Sequence, residues 1–485
     1  MDAMTPAPDL LSLDAGDLSR RIAAGEISCL ALMQASLARI DSLNPRFNAI
    51  VSLRDADALL AEARTRDDEL AGGHRRGWMH GFPVAVKDLA DAQGLPTTMG
   101  SPAMGQRPAT RDALFVQRMK QAGAIVIGKT NTPEFGLGSH TYNPVFGTTG
   151  NAYDPSRSAG GSSGGAAVAL ALRMLPVADG SDMGGSLRNP AAWNNVVGMR
   201  PSRGRVPAVP AEDVFFQQLG TEGPMARSVD DVARLLCTMA GWDDRAPLSL
   251  AEALPDPQAQ DPIGCAPGKR IGWLGPIWPD LPLEPGVLSV CEAALKTLEA
   301  LGCEVEPCEL EFARERNWTT WLRLRQLLTG GKLAPLYADP QQRALLKPEA
   351  AWEIEQSHAL TAAQLYQASV SRTALYHAFR RLFQRYDYVV APSAQLFPFD
   401  AALTWPRSIN GVAMDTYHRW MEIVTPFTLA GLPVVSMPVG FSAQGLPMGM
   451  QIAGPARADF SVLAMARAFE AATGWTRRVL PPAIA

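Results

Sequence analysis

The chain has 485 residues, 47% hydrophobic and only 19% charged, which is enough apolar material for a large buried core. A formal net charge of −4, with no basic run longer than pairs such as Arg75-Arg76 and Arg477-Arg478, argues against an electrostatic nucleic-acid binder. Cys29, Cys237, Cys265, Cys291, Cys303 and Cys308 show no C-x-x-C spacing, so neither structural zinc nor a disulfide framework is expected.

The start "MDAMTPAPDLLSLDAGD" has no basic n-region and no apolar h-region, so no signal peptide is read there. "SCLALMQASLARIDSLNP" places Leu30, Met33, Leu37 and Ile40 at helical spacing, with Ser28 as N-cap and Pro45 beyond the stop. "DADALLAEARTRDDELAGG" predicts a second helix, closed by Gly72-Gly73. The texture then changes. "FPVAVKD" and "AIVIGK" are short β-rich runs flanking the amphipathic "RDALFVQRMKQAG", a strand–helix–strand alternation that predicts an α/β sheet, at least partly parallel.

Glycine, serine and proline dominate from Gly136 to Gly204, and "GGSSGGAAVALAL" runs from a glycine loop straight into an apolar helix. A linker would not lead into a segment that must be buried, so this density of glycine reads as a site. "AAVALAL" stops at Arg173, far short of the roughly 20 residues of a membrane span. Downstream the pattern gives a helix at "SVDDVARLLCTMAG", a strand at "RIGWLG", a helix at "GVLSVCEAALKTLEALG" and a strand at "CEVEPCEL". It closes with strands at "YDYVVAPS", "LPVVSMPVGF" and "PMGMQIAG" and a helix at "DFSVLAMARAFEAAT". Glu252 to Lys269 is the best surface linker. The whole reads as one large α/β unit around a mixed sheet, in a soluble cytoplasmic protein.

Chemistry concentrates in three places. "VADGSDMGGSLRNPAAW" sets Ser186 behind Gly184-Gly185, where uncovered backbone N–H groups suit an anion. A serine nucleophile needs a base, yet no histidine lies between His140 and His358. Lys87 follows the β-branched strand "FPVAV" and is desolvated if that strand is buried. Desolvation disfavours the ammonium, and a neutral lysine is a competent base. Ser162 and Ser163 each fit a G-x-S-x-G pattern, and either hydroxyl can donate and accept at once, bridging Ser186 to Lys87.

"GFPVAVKD", "RSAGGSSGGAAVAL" and "GSDMGGSLRNPAAWNNVVGMRPSRGRVP" resemble the amidase signature family of serine hydrolases. The resemblance extends to "GKTNTPEFGLGSHTYNPVFGTTGNAYDPSR", "LGTEGPMARSVDD" and the C-terminal "GLPVVSMPVGFSAQGLPMGMQIAGP", and is weakest over about 245–385. It implies a single large α/β domain with a central mixed, mostly parallel β-sheet covered by helices on both faces. Its parts would be an N-terminal helical segment (1–73), a catalytic core (78–227), a variable region shaping the pocket (245–385) and a C-terminal part of the sheet (386–485).

Position by position, the resemblance makes Lys87 the base, Ser162 the bridging serine on a cis Gly161-Ser162 bond, and Ser186 the nucleophile. Met183, Gly184, Gly185 and Ser186 would supply the oxyanion N–H groups, with Ser163, Asp182 and Arg188 as supporting residues. Phe216, Trp318 and Trp321, from an aromatic group that includes Phe215 and Trp405, are candidates for an apolar substrate pocket. His140 reads as a satisfied polar residue, and the other histidines show no metal spacing.

The implied activity is hydrolysis of a small-molecule carboxylic amide, carbamate or cyclic amide, with no cofactor, no metal, no nucleic acid and no membrane. The N-terminal helices could pack against a second copy, as a homodimer. Three alternatives stand beside it: an α/β-hydrolase esterase using Ser162 or Ser163 with His358, the amidase subunit of a tRNA-dependent glutamine amidotransferase, and an inactive binding module.

Overall fold

The computed structural model describes residues 10–216, 218–253 and 265–485. Most of the expected linker, 254–264, therefore lies outside the described residues, as do the first nine positions. The first long helix, Cys29–Phe47, begins as predicted: Ser28 Oγ accepts the Ala31 N–H at 3.0 Å. It does not stop before Pro45, which sits inside its last turn. The Asn44 side chain compensates by accepting the N–H groups of Ala49 and Ile50, and left-handed Asn48 closes the end. The second helix, Ala56–Ala71, ends at Gly72 and Gly73 as expected.

The strand–helix–strand reading of residues 83–130 holds locally. Pro83–Lys87 and Ile125–Thr130 are parallel, with the helix Leu114–Gln121 between them in sequence. They belong, however, to a small separate sheet that Ile50–Val51 completes on the antiparallel side of Ile125–Thr130. This small sheet lies against the edge of a larger one. The contact includes a polar join: the backbone N–H of Lys87 is shared between Asp179 Oδ1 and Oδ2 at 3.3 and 3.2 Å.

The large sheet has eight strands, in the order Glu304–Pro307, Arg270–Trp273, Tyr388–Pro392, Pro447–Ala453, Val434–Phe441, Val197–Arg200, Thr221–Ala226 and Val177–Asp182. It is mixed, as expected, but not mostly parallel. Only the first two pairings are parallel, and the other five are antiparallel. The reason is local. The helix Val287–Ala300 does link parallel strands, but Val434–Phe441 and Pro447–Ala453 are joined by a short turn through Gly445 (φ 77°), which forces the chain back on itself. These two central strands are buried almost throughout. Since successive side chains alternate sides, both faces of the sheet are covered. The helices Arg188–Trp193, Val287–Ala300 and Asp459–Thr473 pack against them. Among the described residues no helix is long and apolar enough to cross a membrane.

Close packing explains the glycine-rich stretch. The helix Gly164–Ala171 is wholly buried, and a Cβ on Gly165 would fall 2.4 Å from Asn131 N and 2.6 Å from Ala49 O. Both obstacles are backbone, so Gly165→Ala should destabilise by at least about 1–3 kcal/mol, lowering the thermal midpoint. Gly331→Ala is the control: its Cβ meets open space in the helix Arg314–Ala338, and its midpoint should hold or rise.

Candidate active site

Lys87 is the last residue of the strand Pro83–Lys87 and is 1% exposed. Its Nζ lies 2.8 Å from Ser162 Oγ, 2.9 Å from Ser163 Oγ and 3.0 Å from Ser181 Oγ. Three hydroxyls therefore surround the amine, and among the described residues no carboxylate is at hydrogen-bond distance from Nζ. Burial pulls the lysine below its ordinary value, while Glu222, Asp179 and Asp182 act in the opposite direction. Asp179, held against the Lys87 backbone, is itself pushed up to about 6 by burial, against the pull of Lys87 and Lys129.

Ser162 follows a cis Gly161-Ser162 bond, at the turn that opens the helix Gly164–Ala171. The Gly161 carbonyl accepts from Ser139 Oγ at 2.9 Å, and the Ser163 N–H donates to the Ser186 carbonyl at 3.2 Å. The two serine loops are thus joined backbone to backbone one residue after Ser162, and Ser186 is 6% exposed.

The Ser186 loop leaves the edge strand Val177–Asp182 and is braced by the Asp182 carboxylate. Oδ1 accepts the Gly185 N–H at 3.0 Å and Oδ2 the Leu187 N–H at 3.1 Å. Arg188 grips the same carboxylate through Nε and Nη2, at 3.0 and 2.9 Å, and Arg200 adds a contact at 3.3 Å. Burial alone would raise Asp182, but the two guanidiniums prevail and hold it well below the usual carboxylate range. Arg188 also reaches Val424 O, Gln451 Oε1 and Thr428 Oγ1, so the loop is anchored to the central strand Pro447–Ala453 and to the helix Thr425–Ala430.

This bracing corrects one expectation. The Gly185 N–H is occupied by Asp182 and is not free for an oxyanion, which leaves Met183, Gly184 and Ser186 of the four expected donors. Gly185 has φ 89°, a left-handed conformation that glycine adopts readily.

The expected aromatic pocket divides. Trp321 is buried against the loop: a Cβ on Gly184 would lie 3.3–3.4 Å from its ring and 2.8 Å from Met421 Cε. Trp318 is buried too, but it packs on His418 and under the Arg419 guanidinium, 4.7 Å from its ring. Phe216 is 73% exposed, its backbone N–H tied to Asp213. An apolar ring in an exposed turn does not form a buried wall, so nothing brings Phe216 to the serines. His140 is satisfied as expected: Nδ1 meets Ser158 Oγ at 2.7 Å, and burial pulls it down to about 4. His358, the base an esterase would need, is exposed at a helix end with its ring against Tyr337.

Sequence reasoning missed Ser181, Asp179, Met421 and Arg325. Arg325 is held by Glu353 and Tyr417 and places Nη1 3.6 Å from Met183 Sδ in the Ser186 loop. The first two had a signal. Read as a strand, "VADGSD" puts Asp179 and Ser181 on one face, next to whatever lies at that edge. Arg325 and Met421 had none, since they approach from distant segments.

The amidase family model matches residues 31–463. An acylamidase of Rhodococcus erythropolis is 31% identical over 474 residues, spanning 96% of each chain. A glutamyl-tRNA(Gln) amidotransferase subunit of Acidothermus cellulolyticus is 33% identical over 495 residues, spanning 96% of this chain and 95% of that one. The crystal structure of a bacterial aryl acylamidase of the amidase signature enzymes superposes with a TM-score of 0.89 at 28% identity, covering 96% of each chain.

Proposed function

Since the chain belongs to the amidase signature family and is a hydrolase of carbon–nitrogen bonds, we propose that it cleaves a small-molecule acyl amide through an acyl-enzyme on Ser186. The observation that carries this reading is the buried Lys87 Nζ, 2.8 Å from Ser162 Oγ beside the Ser186 loop. Neutral Lys87 takes a proton from Ser162 as Ser162 takes one from Ser186, and the Ser186 oxygen attacks the carbonyl carbon. Backbone N–H groups of the loop, with Gly185 reserved for Asp182, stabilise the tetrahedral oxyanion. The proton returns to the leaving nitrogen, the C–N bond breaks, and water repeats the path on the ester.

An aryl or other apolar acyl amide is favoured. Trp321 and Met421 against Gly184 make an apolar wall for the loop, and the aryl acylamidase resembles this chain over nearly its whole length. A free-standing enzyme is favoured over an amidotransferase component because Arg188 is followed by Asn189, where the resemblance would place a glutamine in that component.

The test is a panel of 4-nitroacetanilide, an aliphatic amide and an aryl carbamate offered to the purified chain, with intact-mass analysis of quenched turnover. The anilide should be hydrolysed fastest, with an acyl adduct that maps to Ser186. An adduct on Ser162 or Ser163 would overturn the assignment, and turnover that needs added partner subunits would favour the amidotransferase.

A further inference from the structure

Two neighbouring strands of the large sheet are buried along their length except at one position each. Ser181 is the part-exposed residue of Val177–Asp182 and Glu222 that of Thr221–Ala226. The two are direct partners in the antiparallel register. Cross-strand partners project to the same face, with Cβ atoms about 5 Å apart. On that face Ser181 Oγ lies 3.0 Å from Lys87 Nζ. The Glu222 carboxylate is therefore carried to the side of the sheet where the amine sits, at the one place where both strands open. Among the described residues no hydrogen bond or ion pair engages its carboxylate oxygens.

We infer that Glu222 sets the charge of the Lys87 amine, as a positioning residue whose carboxylate, when ionised, holds that amine as ammonium. The inference rests on Lys87 being the base of the proposed function.

The other charges around the pair leave this role to Glu222. Lys87 faces Asp179 and Asp182 on the edge strand and Glu222 on the next strand. Asp182 is committed to Arg188 and Arg200, and Asp179 faces Lys129 as well as Lys87. Glu222 faces Lys87, Asp179 and, from the helix Arg314–Ala338, Lys332. Burial raises the carboxyl and lowers the amine, so their titrations approach one another and the two lose protons as a pair. An ionised Glu222 favours the ammonium, so the active neutral amine is reached at higher pH than it would be without that carboxylate.

The experiment follows inactivation by an alkyl fluorophosphonate, which forms a P–O bond to the nucleophilic serine and expels fluoride. It needs no knowledge of the natural substrate. The second-order rate is measured from about pH 5.5 to pH 10 for wild type, Glu222→Gln, Glu222→Asp and Lys87→Met, with thermal midpoints for each. An opposite charge at this range moves a titration by about one pH unit or more. The acid limb of Glu222→Gln should shift down by about half to one pH unit, with the difference read between about pH 7 and 8.5, where the Glu222 carboxylate, pushed up to about 7 by burial, is ionised in wild type. Glu222→Asp, which keeps the charge, should stay near the wild-type limb. A Glu222→Gln limb that coincides with wild type, or moves to higher pH, overturns the inference. If Glu222→Gln does not fold, a Glu222→Asp limb displaced as far as one pH unit does the same. Lys87→Met separates the two claims: inactivation at the wild-type rate would defeat the proposed base itself, whereas an inert Lys87→Met beside an unmoved Glu222→Gln limb defeats only this inference.

Discussion

Ser186→Ala is expected to lower kcat on 4-nitroacetanilide by about 10^4-fold or more while leaving the fold intact. The size of the loss follows from the proposed role of this hydroxyl as the attacking atom. The retained fold follows from what holds the loop. The Ser186 contribution is its backbone carbonyl, which accepts the Ser163 N–H, and alanine keeps it. Asp182 continues to fix Gly185 and Leu187. Steady-state rates, a thermal midpoint and intact mass after fluorophosphonate treatment check this together. A variant that keeps more than about one hundredth of the rate and still forms an acyl adduct would move the nucleophile to Ser162 or Ser163.

Lys87→Met should cost about 10^2–10^4-fold in kcat/KM and remove the pH dependence on the acid side. The sign comes from burial. A desolvated amine gives up its proton below its ordinary value of 10.5, and the neutral amine is the active form. Wild-type kcat/KM should therefore rise about tenfold per pH unit at low pH and level off well short of 10.5. Without the amine that slope has no source. Lys87→Arg sharpens the result. Arginine keeps the cation but does not deprotonate at any working pH, so it should be as slow as methionine. An active arginine variant would show that the position needs a charge and not a base.

How much of this the sequence made legible depends on the kind of interaction. Ser162, Ser163 and Ser186 were legible in a compact glycine-rich segment and Lys87 at the end of a buried β-branched strand, while Asp182 and Arg188 were named through the family resemblance of the same stretch. Periodicity found several helices and the apolar strands, since "LPVVSMPVGF" and "SVDDVARLLCTMAG" announce their buried faces, but it missed the two longest helices, Arg314–Ala338 and Ala362–Leu382. It missed Val177–Asp182, Val197–Arg200 and Thr221–Ala226 as strands, because glycine, aspartate and proline there mask any β-propensity. These segments form one end of the large sheet, and their omission left the expected sheet too parallel. The pocket was the least legible part. Trp321 touches Gly184 while Phe216 faces solvent, a difference fixed by how the helix Arg314–Ala338 lies over the loop, which no local pattern encodes.

The polar join between the two sheets has a mechanical meaning. The Lys87 amine travels with the small sheet and the Ser186 hydroxyl with the large one, and at Asp179 the two are coupled by a side chain in place of a backbone ladder. Competence is thus a property of how the two sheets dock, through this hydrogen bond and the apolar core they share. Gentle heating or low denaturant should therefore silence the enzyme before either sheet melts, with loss of rate preceding loss of secondary structure.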